Sequence, residues 1–238
     1  MRANVIEVRE LRIRLADPLR GEAAPGGAGG RPPSGGTDVV RGVSFGVAQG
    51  EIYALLGGHG AGKTTLLEAV AGDRRPVSGT VRVRGADPYA ERAVLRTGAV
   101  WRDGGLFPGL TVAEVVDTWR RWTLDPLTRD EALRLTGLGG LADVPFERLS
   151  AGQRRLLDLA LALVGRSDVL FLDEPTVGLG EDDVRWIWSV LRFLAANGVT
   201  VLLTTRDVDE ACRADRIGVM GEGRLPVGQD SVRVQAAA

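Results

Sequence analysis

The chain has 238 residues, a length that suits one compact α/β domain with a buried parallel sheet. Its 30 basic and 31 acidic residues almost cancel, so the net charge gives no reason to expect nucleic acid or an anionic membrane as a direct partner. Cys212 is the only cysteine and cannot form an intramolecular disulfide, and the first residues lack a secretory signal, so we expect a cytoplasmic location. No run of about 20 apolar residues predicts a membrane-spanning helix.

The N-terminal part of the chain contains strand patterns separated by a segment rich in glycine and proline. Residues 5–8 and 11–15 predict two short strands. Residues 21–37 include seven glycines and three prolines, so they cannot bury a core, and they predict a flexible surface insertion. Strands are predicted again at 42–47 and 51–57, and the second is an apolar run that is typical of a buried central strand.

The remainder of the chain alternates between helix and strand patterns. Helices are predicted at 63–71, 111–122, 128–137, 151–164, 182–196 and 207–213, and strands at 80–84, 99–101, 168–172, 199–204 and 216–220. This alternation predicts an α/β fold with a parallel sheet covered on both faces. We expect one domain over residues 1–238, in which a helical subdomain of about 103–160 interrupts the sheet.

A phosphate-binding loop is predicted where the strand at 51–57 meets the next helix. Residues 57–65 match the pattern G-x-x-x-x-G-K-[ST], in which backbone N–H groups and the helix N-terminus face the phosphates of a nucleotide. Lys63, the only lysine, would neutralise the β- and γ-phosphate oxygens, and Thr64 would bind Mg²⁺. The residues predicted to bind the nucleotide are Gly57, Gly58, His59, Gly60, Ala61, Gly62, Lys63, Thr64 and Thr65.

Paired carboxylates end the apolar strand predicted at 168–172. Asp173 and Glu174 follow this strand directly, as in the Walker B strand of nucleotide hydrolases. Asp173 would bind Mg²⁺, and Glu174 would act as the general base toward the attacking water. An acidic turn alone is weak support for this role, but a phosphate loop on the same predicted sheet strengthens it.

Residues 149–153, Leu-Ser-Ala-Gly-Gln, begin the helix predicted at 151–164. Ser150 and Gln153 by themselves form a capping box, which an ordinary helix start would share. The segment leads directly into the acidic strand, however, and there it resembles the LSGGQ signature of ABC (ATP-binding cassette) proteins, with alanine at 151. The resemblance extends over nearly the whole chain and is closest to the drug-resistance exporter branch.

The resemblance implies a P-loop NTPase of ABC type, with a parallel-sheet core, an antiparallel β subdomain and a helical subdomain. It implies that two cassettes, as a homodimer or heterodimer, enclose Mg-ATP between the phosphate loop of one and Ser150, Ala151, Gly152 and Gln153 of the other. ATP hydrolysis would then power export of a small amphipathic compound through separate transmembrane permease subunits. The chain would lie peripherally on the inner face of the cell membrane, without nucleic acid as a partner.

Besides Ala151, four positions that bear on ATP binding or hydrolysis depart from the pattern of the family. Arg102 stands where the family has a glutamine that contacts Mg²⁺, and Arg206 stands where it has a histidine that contacts the γ-phosphate. Gly180 replaces an aspartate that connects the two nucleotide sites, and Leu15 replaces an aromatic residue that stacks on adenine. These substitutions predict that nucleotide binding is kept and that hydrolysis is weakened.

The two arginines join Lys63 and Glu174 as predicted residues of the catalytic site. Arg102 and Arg206 would either bind phosphate through their guanidinium groups or point to solvent. Two functions therefore stay open at this stage: an ATP hydrolase that drives export, and a degenerate cassette that supports a competent partner in a regulatory or structural role.

Overall fold

The structure is a computed structural model that describes residues 3–16, 36–91, 95–226 and 232–233. Its strands are β1 (Asn4–Ala16), β2 (Gly36–Ala48), β3 (Ile52–Leu56), β4 (Ser78–Val83), β5 (Thr97–Val100), β6 (Val169–Asp173), β7 (Thr200–Thr205), β8 (Arg216–Val219) and β9 (Val232–Arg233). Its α-helices are α1 (Lys63–Val70), α2 (Val112–Arg121), α3 (Arg129–Leu135), α4 (Ala151–Leu163), α5 (Glu181–Ala196) and α6 (Val208–Ala211).

A three-stranded antiparallel sheet with the order β2-β1-β4 forms one layer. The two short strands predicted at 5–8 and 11–15 form one continuous strand, β1. A β-bulge interrupts its pairing with β2, because three residue steps of β1, from Val8 to Leu11, pair with only two steps of β2. The extra residue brings Val8 and Leu11 onto the same buried face, although they are an odd number of positions apart. The predicted insertion at 21–37 lies outside the described residues except for Gly36 and Thr37, which begin β2.

A second sheet has the order β5-β6-β7-β3-β8-β9 and forms the centre of the molecule. Its strand pairs are parallel except for β8 with β9, and every residue of β6 and β7 is buried. The predicted α/β fold with a parallel core is therefore confirmed. The carboxyl ends of β3, β5, β6 and β7 lie at the same edge of the sheet, where ligands of such folds bind.

The segment predicted as helical contains α2 and α3, each with a complete capping box at its first turn. Thr111 pairs with Glu114 at α2, and Thr128 pairs with Glu131 at α3. Both helices pack on α4, whose C-terminal half lies against β5. None of the helices in the described ranges combines the length and the apolar character that crossing a membrane requires.

Candidate functional site

The phosphate loop connects β3 to α1, and two of its glycines permit a close approach to neighbouring backbone. A Cβ atom on Gly57 would lie 2.3 Å from the Met220 carbonyl oxygen, and one on Gly62, whose φ is 93°, would lie 2.8 Å from that of Val39. A Cβ atom on Gly58 or Gly60 would meet nothing within 4 Å. The loop is therefore packed on its inner side and open on its outer side, where a phosphate would bind.

Lys63 lies inside this loop and is buried. Its Nζ donates hydrogen bonds to the carbonyl oxygens of Gly57 at 2.8 Å and Gly58 at 2.9 Å. Burial lowers the pKa of Lys63, the nearby carboxylates of Glu174 and Asp173 oppose this shift, and Arg206 adds to it. A phosphate in the loop would offset the cost of burying the ammonium group.

The two predicted Mg²⁺ ligands lie side by side. The Thr64 hydroxyl is 3.0 Å from each carboxylate oxygen of Asp173, and the Thr204 hydroxyl donates to Asp173 Oδ1 at 2.5 Å. Mg²⁺ prefers hard oxygen ligands and keeps several of its waters, so an exposed hydroxyl beside a carboxylate fits this ion. Thr204 was not predicted, although it lies opposite Asp173 in the register of β6 and β7.

Glu174, the predicted general base, is held by its backbone in a strained conformation. Its φ is 44°, a value that residues with a Cβ rarely adopt. Its backbone N–H donates to both oxygens of Thr204, to Oγ1 at 3.0 Å and to the carbonyl at 3.2 Å. The side chain is only 10% exposed, so its carboxylate depends on protein partners.

Those partners are the two arginines that depart from the family pattern. Arg206 Nη2 donates to Glu174 Oε2 at 2.9 Å, and Arg102 Nε lies 3.7 Å from the same oxygen. Arg102 follows β5 and Arg206 follows β7, so the sheet itself brings both to Glu174. The sequence suggested phosphate or solvent as the partner of these guanidinium groups, and the structure adds the carboxylate of Glu174, the predicted general base.

The backbone that carries Arg102 is fixed by α4. Arg155 donates hydrogen bonds to the carbonyl oxygens of Trp101 at 2.8 Å and Arg102 at 2.9 Å, and Asp158 accepts one from the Gly105 N–H at 3.2 Å. Burial raises the pKa of Asp158, and the Gly105 N–H and Arg155 oppose that shift. Sequence analysis did not single out Arg155 or Asp158, because their contacts are with backbone 53 or more residues away.

The signature segment forms the predicted capping box at the start of α4. Ser150 Oγ accepts from the Gln153 N–H at 3.2 Å, and Gln153 Oε1 accepts from the Ser150 N–H at 2.9 Å. A Cβ atom on Gly152 would lie 2.2 Å from the Asp183 carboxyl carbon, so the first turn of α5 lies beside it. Across the described ranges, no hydrogen bond or ion pair joins residues 150–153 to the phosphate loop. Within the described residues, the two parts of the predicted nucleotide site therefore make no bonded contact in a single chain.

Three further predicted positions lie at the edges of this arrangement. His59 is exposed on the phosphate loop, and Leu15 is half-buried in β1 opposite Thr37. Gly180 is the N-cap of α5, and three acidic residues, Glu181–Asp183, follow it in the first turn. Glu181 and Asp182 pair with Arg185, whereas Asp183 faces the signature helix.

Comparisons with known proteins match this geometry. The family model described as "ABC transporter" covers residues 40–177, more than half of the chain. The chain belongs to the ABC transporter family. That match includes the phosphate loop, the signature segment and the Asp173–Glu174 pair.

Similar curated proteins include ATP-binding proteins of export and drug resistance. The Nod factor export ATP-binding protein I of Ralstonia nicotianae is 39% identical over 194 residues, which cover 78% of this chain and 60% of that protein. The daunorubicin/doxorubicin resistance ATP-binding protein DrrA of Streptomyces peucetius is 37% identical over 198 residues, 80% of this chain and 60% of that protein. The matched part therefore spans about three fifths of these relatives.

Among solved structures, cbiO1 of Clostridium perfringens, part of the ABC transporter complex cbiONQ, has a similar fold. The TM-score is 0.76 at 29% identity, and the match covers 94% of this chain and 87% of that one. This likeness confirms the ABC cassette fold that the resemblance implied, with its parallel core, its antiparallel sheet and its helices.

Proposed function

We propose that this chain binds Mg-ATP and serves as the nucleotide-binding subunit of an exporter, with weakened hydrolysis at its own site. The observation that carries the proposal is that the phosphate loop, Lys63, Thr64 and Asp173 lie together at one edge of the sheet. The phosphate loop and Lys63 would hold the β- and γ-phosphates, and Thr64 with Asp173 would hold the metal. The relatives with export and drug-resistance names support the assignment to an exporter.

Weakened hydrolysis follows from the contacts of Glu174. A general base must lie within hydrogen-bonding distance of the water whose proton it accepts. The Oε2 oxygen of Glu174 is instead 2.9 Å from Arg206 Nη2 and 3.7 Å from Arg102 Nε. When Mg-ATP is bound, the metal supplies charge neutralisation at the phosphates. A water molecule could then be oriented by Oε2 only after Arg206 moves away, which leaves Oε1 as the one oxygen of Glu174 without an arginine hydrogen bond in the described ranges and adds to the barrier.

Among the residues that the structure describes, no hydrogen bond or ion pair joins the signature segment to the phosphate loop, and this supports action as a dimer. Ser150 and Gln153 bond to each other at the start of α4, where they leave the exposed Ala151 available to a second cassette. A homodimer or a heterodimer would complete each site with the signature of the opposite chain. The second candidate arrangement is a heterodimer with a hydrolysis-competent cassette. In it, this chain would contribute its signature segment and its bound nucleotide without turnover. The pairing of Glu174 with two arginines favours this arrangement.

A groove beside α4 supports contact with a separate membrane subunit. It has a volume of about 390 Å³ and is lined by residues of β5, the following loop, α2 and α4, among them Trp101, Phe107, Trp119 and Asp158. Leu106, Trp122 and Leu124 are large apolar side chains nearby along the chain that are more than three-quarters exposed. Exposed apolar surface of this kind marks interaction sites. We assign it to a cytoplasmic segment of the permease, which would place the chain on the inner face of the membrane.

Two measurements on the purified chain test this function. Titration with a fluorescent ATP analogue should give saturable binding that Mg²⁺ strengthens, and steady-state turnover should stay below about 1 s⁻¹, the low end of ordinary enzymes. Addition of a competent cassette should raise total turnover above the sum of the two separate rates if this chain is a supporting partner. Absence of saturable binding would refute nucleotide binding, and turnover of about 1 s⁻¹ or more by the chain alone would refute weakened hydrolysis.

A further inference from the structure

Glu210 is a buried carboxylate that has no part in the proposed binding of Mg-ATP. It lies in α6 and is 6% exposed. Its Oε1 accepts a hydrogen bond from the Thr176 hydroxyl, and its Oε2 accepts one from the Thr205 hydroxyl at 2.6 Å. Both threonines are buried, so the two bonds are shielded from water. One side chain therefore joins two segments that are 29 residues apart along the chain.

Each of these segments carries one member of the ion pair at the catalytic site. Thr176 lies two residues after Glu174, and Thr205 lies directly before Arg206. The Thr205 carbonyl also accepts a hydrogen bond at 3.2 Å from the N–H of Gly57, the first residue of the phosphate loop. A shift of Glu210 would therefore move the backbone on both sides of the Glu174–Arg206 contact.

We infer that Glu210 is a positioning residue that holds Glu174 and Arg206 together by fixing Thr176 and Thr205. A cavity of about 260 Å³ lies at this point, and Glu174, Thr176, Thr205, Arg206 and Glu210 are among its lining residues. The cavity gives the ion pair room to separate if Thr176 and Thr205 are not held in place. The consequence for turnover rests on the proposed function, but the positioning role does not.

A carboxylate suits this role because both threonine hydroxyls donate to it. An ionised carboxylate has two acceptor oxygens and no donor, whereas a glutamine side chain has one acceptor oxygen and an NH₂ group. Glu210→Gln would keep the shape and leave one hydroxyl without its acceptor. Thr176→Val and Thr205→Val would each remove one hydroxyl at nearly constant volume, and serine at either position would keep it.

The first test needs no nucleotide. The free energy of unfolding in urea is measured for the wild type, Thr176→Val, Arg206→Ala and the double variant. No hydrogen bond joins Thr176 to Arg206 in the part of the chain that the structure describes, but both line the cavity and can couple through it, so the same cycle is repeated in a Glu210→Gln background. Non-additivity that disappears in the Glu210→Gln background supports the positioning role. Additivity, or non-additivity that persists in that background, overturns it.

The second test measures turnover and binding of a fluorescent ATP analogue on the same samples. Thr205→Val should raise kcat at least about twofold, the lower end of couplings between contacting groups, because Arg206 is released from Glu174. Binding should change less than kcat, Thr205→Ser should restore the wild-type kcat, and Thr205→Val should add nothing in an Arg206→Ala background.

Thr136→Val is the matched control, because Thr136 is a fully buried threonine that bonds only within and next to α3. If Thr136→Val raises kcat as much as Thr205→Val does, if serine fails to restore the rate, or if the effect persists without Arg206, the inference is wrong. If the wild type fails to bind the analogue, the proposed function is wrong, and the unfolding cycle still decides the role of Glu210.

Discussion

Arg206 and Glu174 form a hydrogen-bonded ion pair, with Nη2 and Oε2 2.9 Å apart, at the positions where the sequence predicts the switch residue and the general base. The Arg206 side chain is 39% exposed, whereas that of Glu174 is 10% exposed. Solvent therefore weakens the contribution of the pair to stability. Its main consequence is that one carboxylate oxygen of Glu174 is engaged before a water molecule can reach it.

Replacement of both arginines should therefore raise turnover. Arg206→His with Arg102→Gln removes both guanidinium groups from Glu174 and introduces the residues of the family pattern. Losing one positioned polar group in a catalytic site costs about 10²-fold, or about 3 kcal/mol of barrier, so we expect kcat to rise by up to that factor. Steady-state ATPase rates at saturating Mg-ATP measure the effect, and binding of the analogue should stay level or fall.

Two variants control this experiment. Glu174→Gln added to the double variant should abolish the gain, because the general base is then absent. Arg134→Gln removes an exposed arginine on α3 and should leave kcat unchanged. An unchanged rate in the double variant would show that the pairing with Glu174 does not limit hydrolysis.

Lys63→Ala should weaken nucleotide binding. The Lys63 ammonium group lies between the carbonyl oxygens of Gly57 and Gly58, and it is the only lysine of the chain. A hydrogen bond to a charged group contributes about 1.5–3 kcal/mol, so the dissociation constant of a fluorescent ATP analogue should rise by about 10- to 150-fold. Arg134→Ala provides the control for removal of one surface cation. Equal affinity in the Lys63→Ala variant would contradict the assignment of the phosphate loop.

Asp158 should make the stability of the chain depend on pH in the mildly acidic range. Burial raises the pKa of its carboxyl above the ordinary value of 3.8, so protonation stabilises the folded state relative to the unfolded state. This contribution is complete below 3.8 and is lost as the pH rises through the raised pKa of the folded state.

Asp158→Asn removes this titration and keeps an oxygen that can accept from the Gly105 N–H. The free energy of unfolding of the wild type, relative to this variant, should therefore fall as the pH rises from below the ordinary carboxyl pKa of 3.8 through the raised pKa of the folded state. Urea unfolding at several pH values measures it, with the exposed Asp143→Asn as the control for loss of one negative charge. A difference that grows with pH would have the wrong sign for a buried carboxyl.

The sequence predicted the parts of the site that depend on local order along the chain. The phosphate loop, the capping box at Ser150 and the acidic end of β6 each occupy a few consecutive residues, and each is a pattern with a direct physical reason. The parallel sheet was predicted because strands and helices alternate. The bulge in β1 was missed because its extra residue interrupts the alternation of buried positions, which made one strand resemble two.

Contacts between distant segments could not be read from the sequence. The contact of Arg206 with Glu174 depends on how β6 and β7 bring their carboxyl ends together. The contact of Glu210 with Thr176 joins residues that are 34 positions apart along the chain. An arginine side chain at 102 or 206 can contact phosphate, solvent or a carboxylate, so the residue type alone does not identify its partner.

Gly98 should be essential to the packing that places Arg102. A Cβ atom on this residue of β5 would lie 2.2 Å from the Ala162 carbonyl oxygen of α4, and backbone on both sides leaves little room for adjustment. Gly98→Ala should therefore destabilise the chain by about 1–3 kcal/mol, the usual cost of overpacking a core. Gly140→Ala is the matched control, because a Cβ atom there would meet nothing within 4 Å. Urea unfolding of both variants measures the difference.

The same packing positions Arg102. Since β5 leads directly to Arg102 and α4 holds the Arg102 carbonyl through Arg155, separation of β5 from α4 should also move Arg102 relative to Glu174. Equal stability of the two variants would show that α4 and β5 are not in close contact at Gly98.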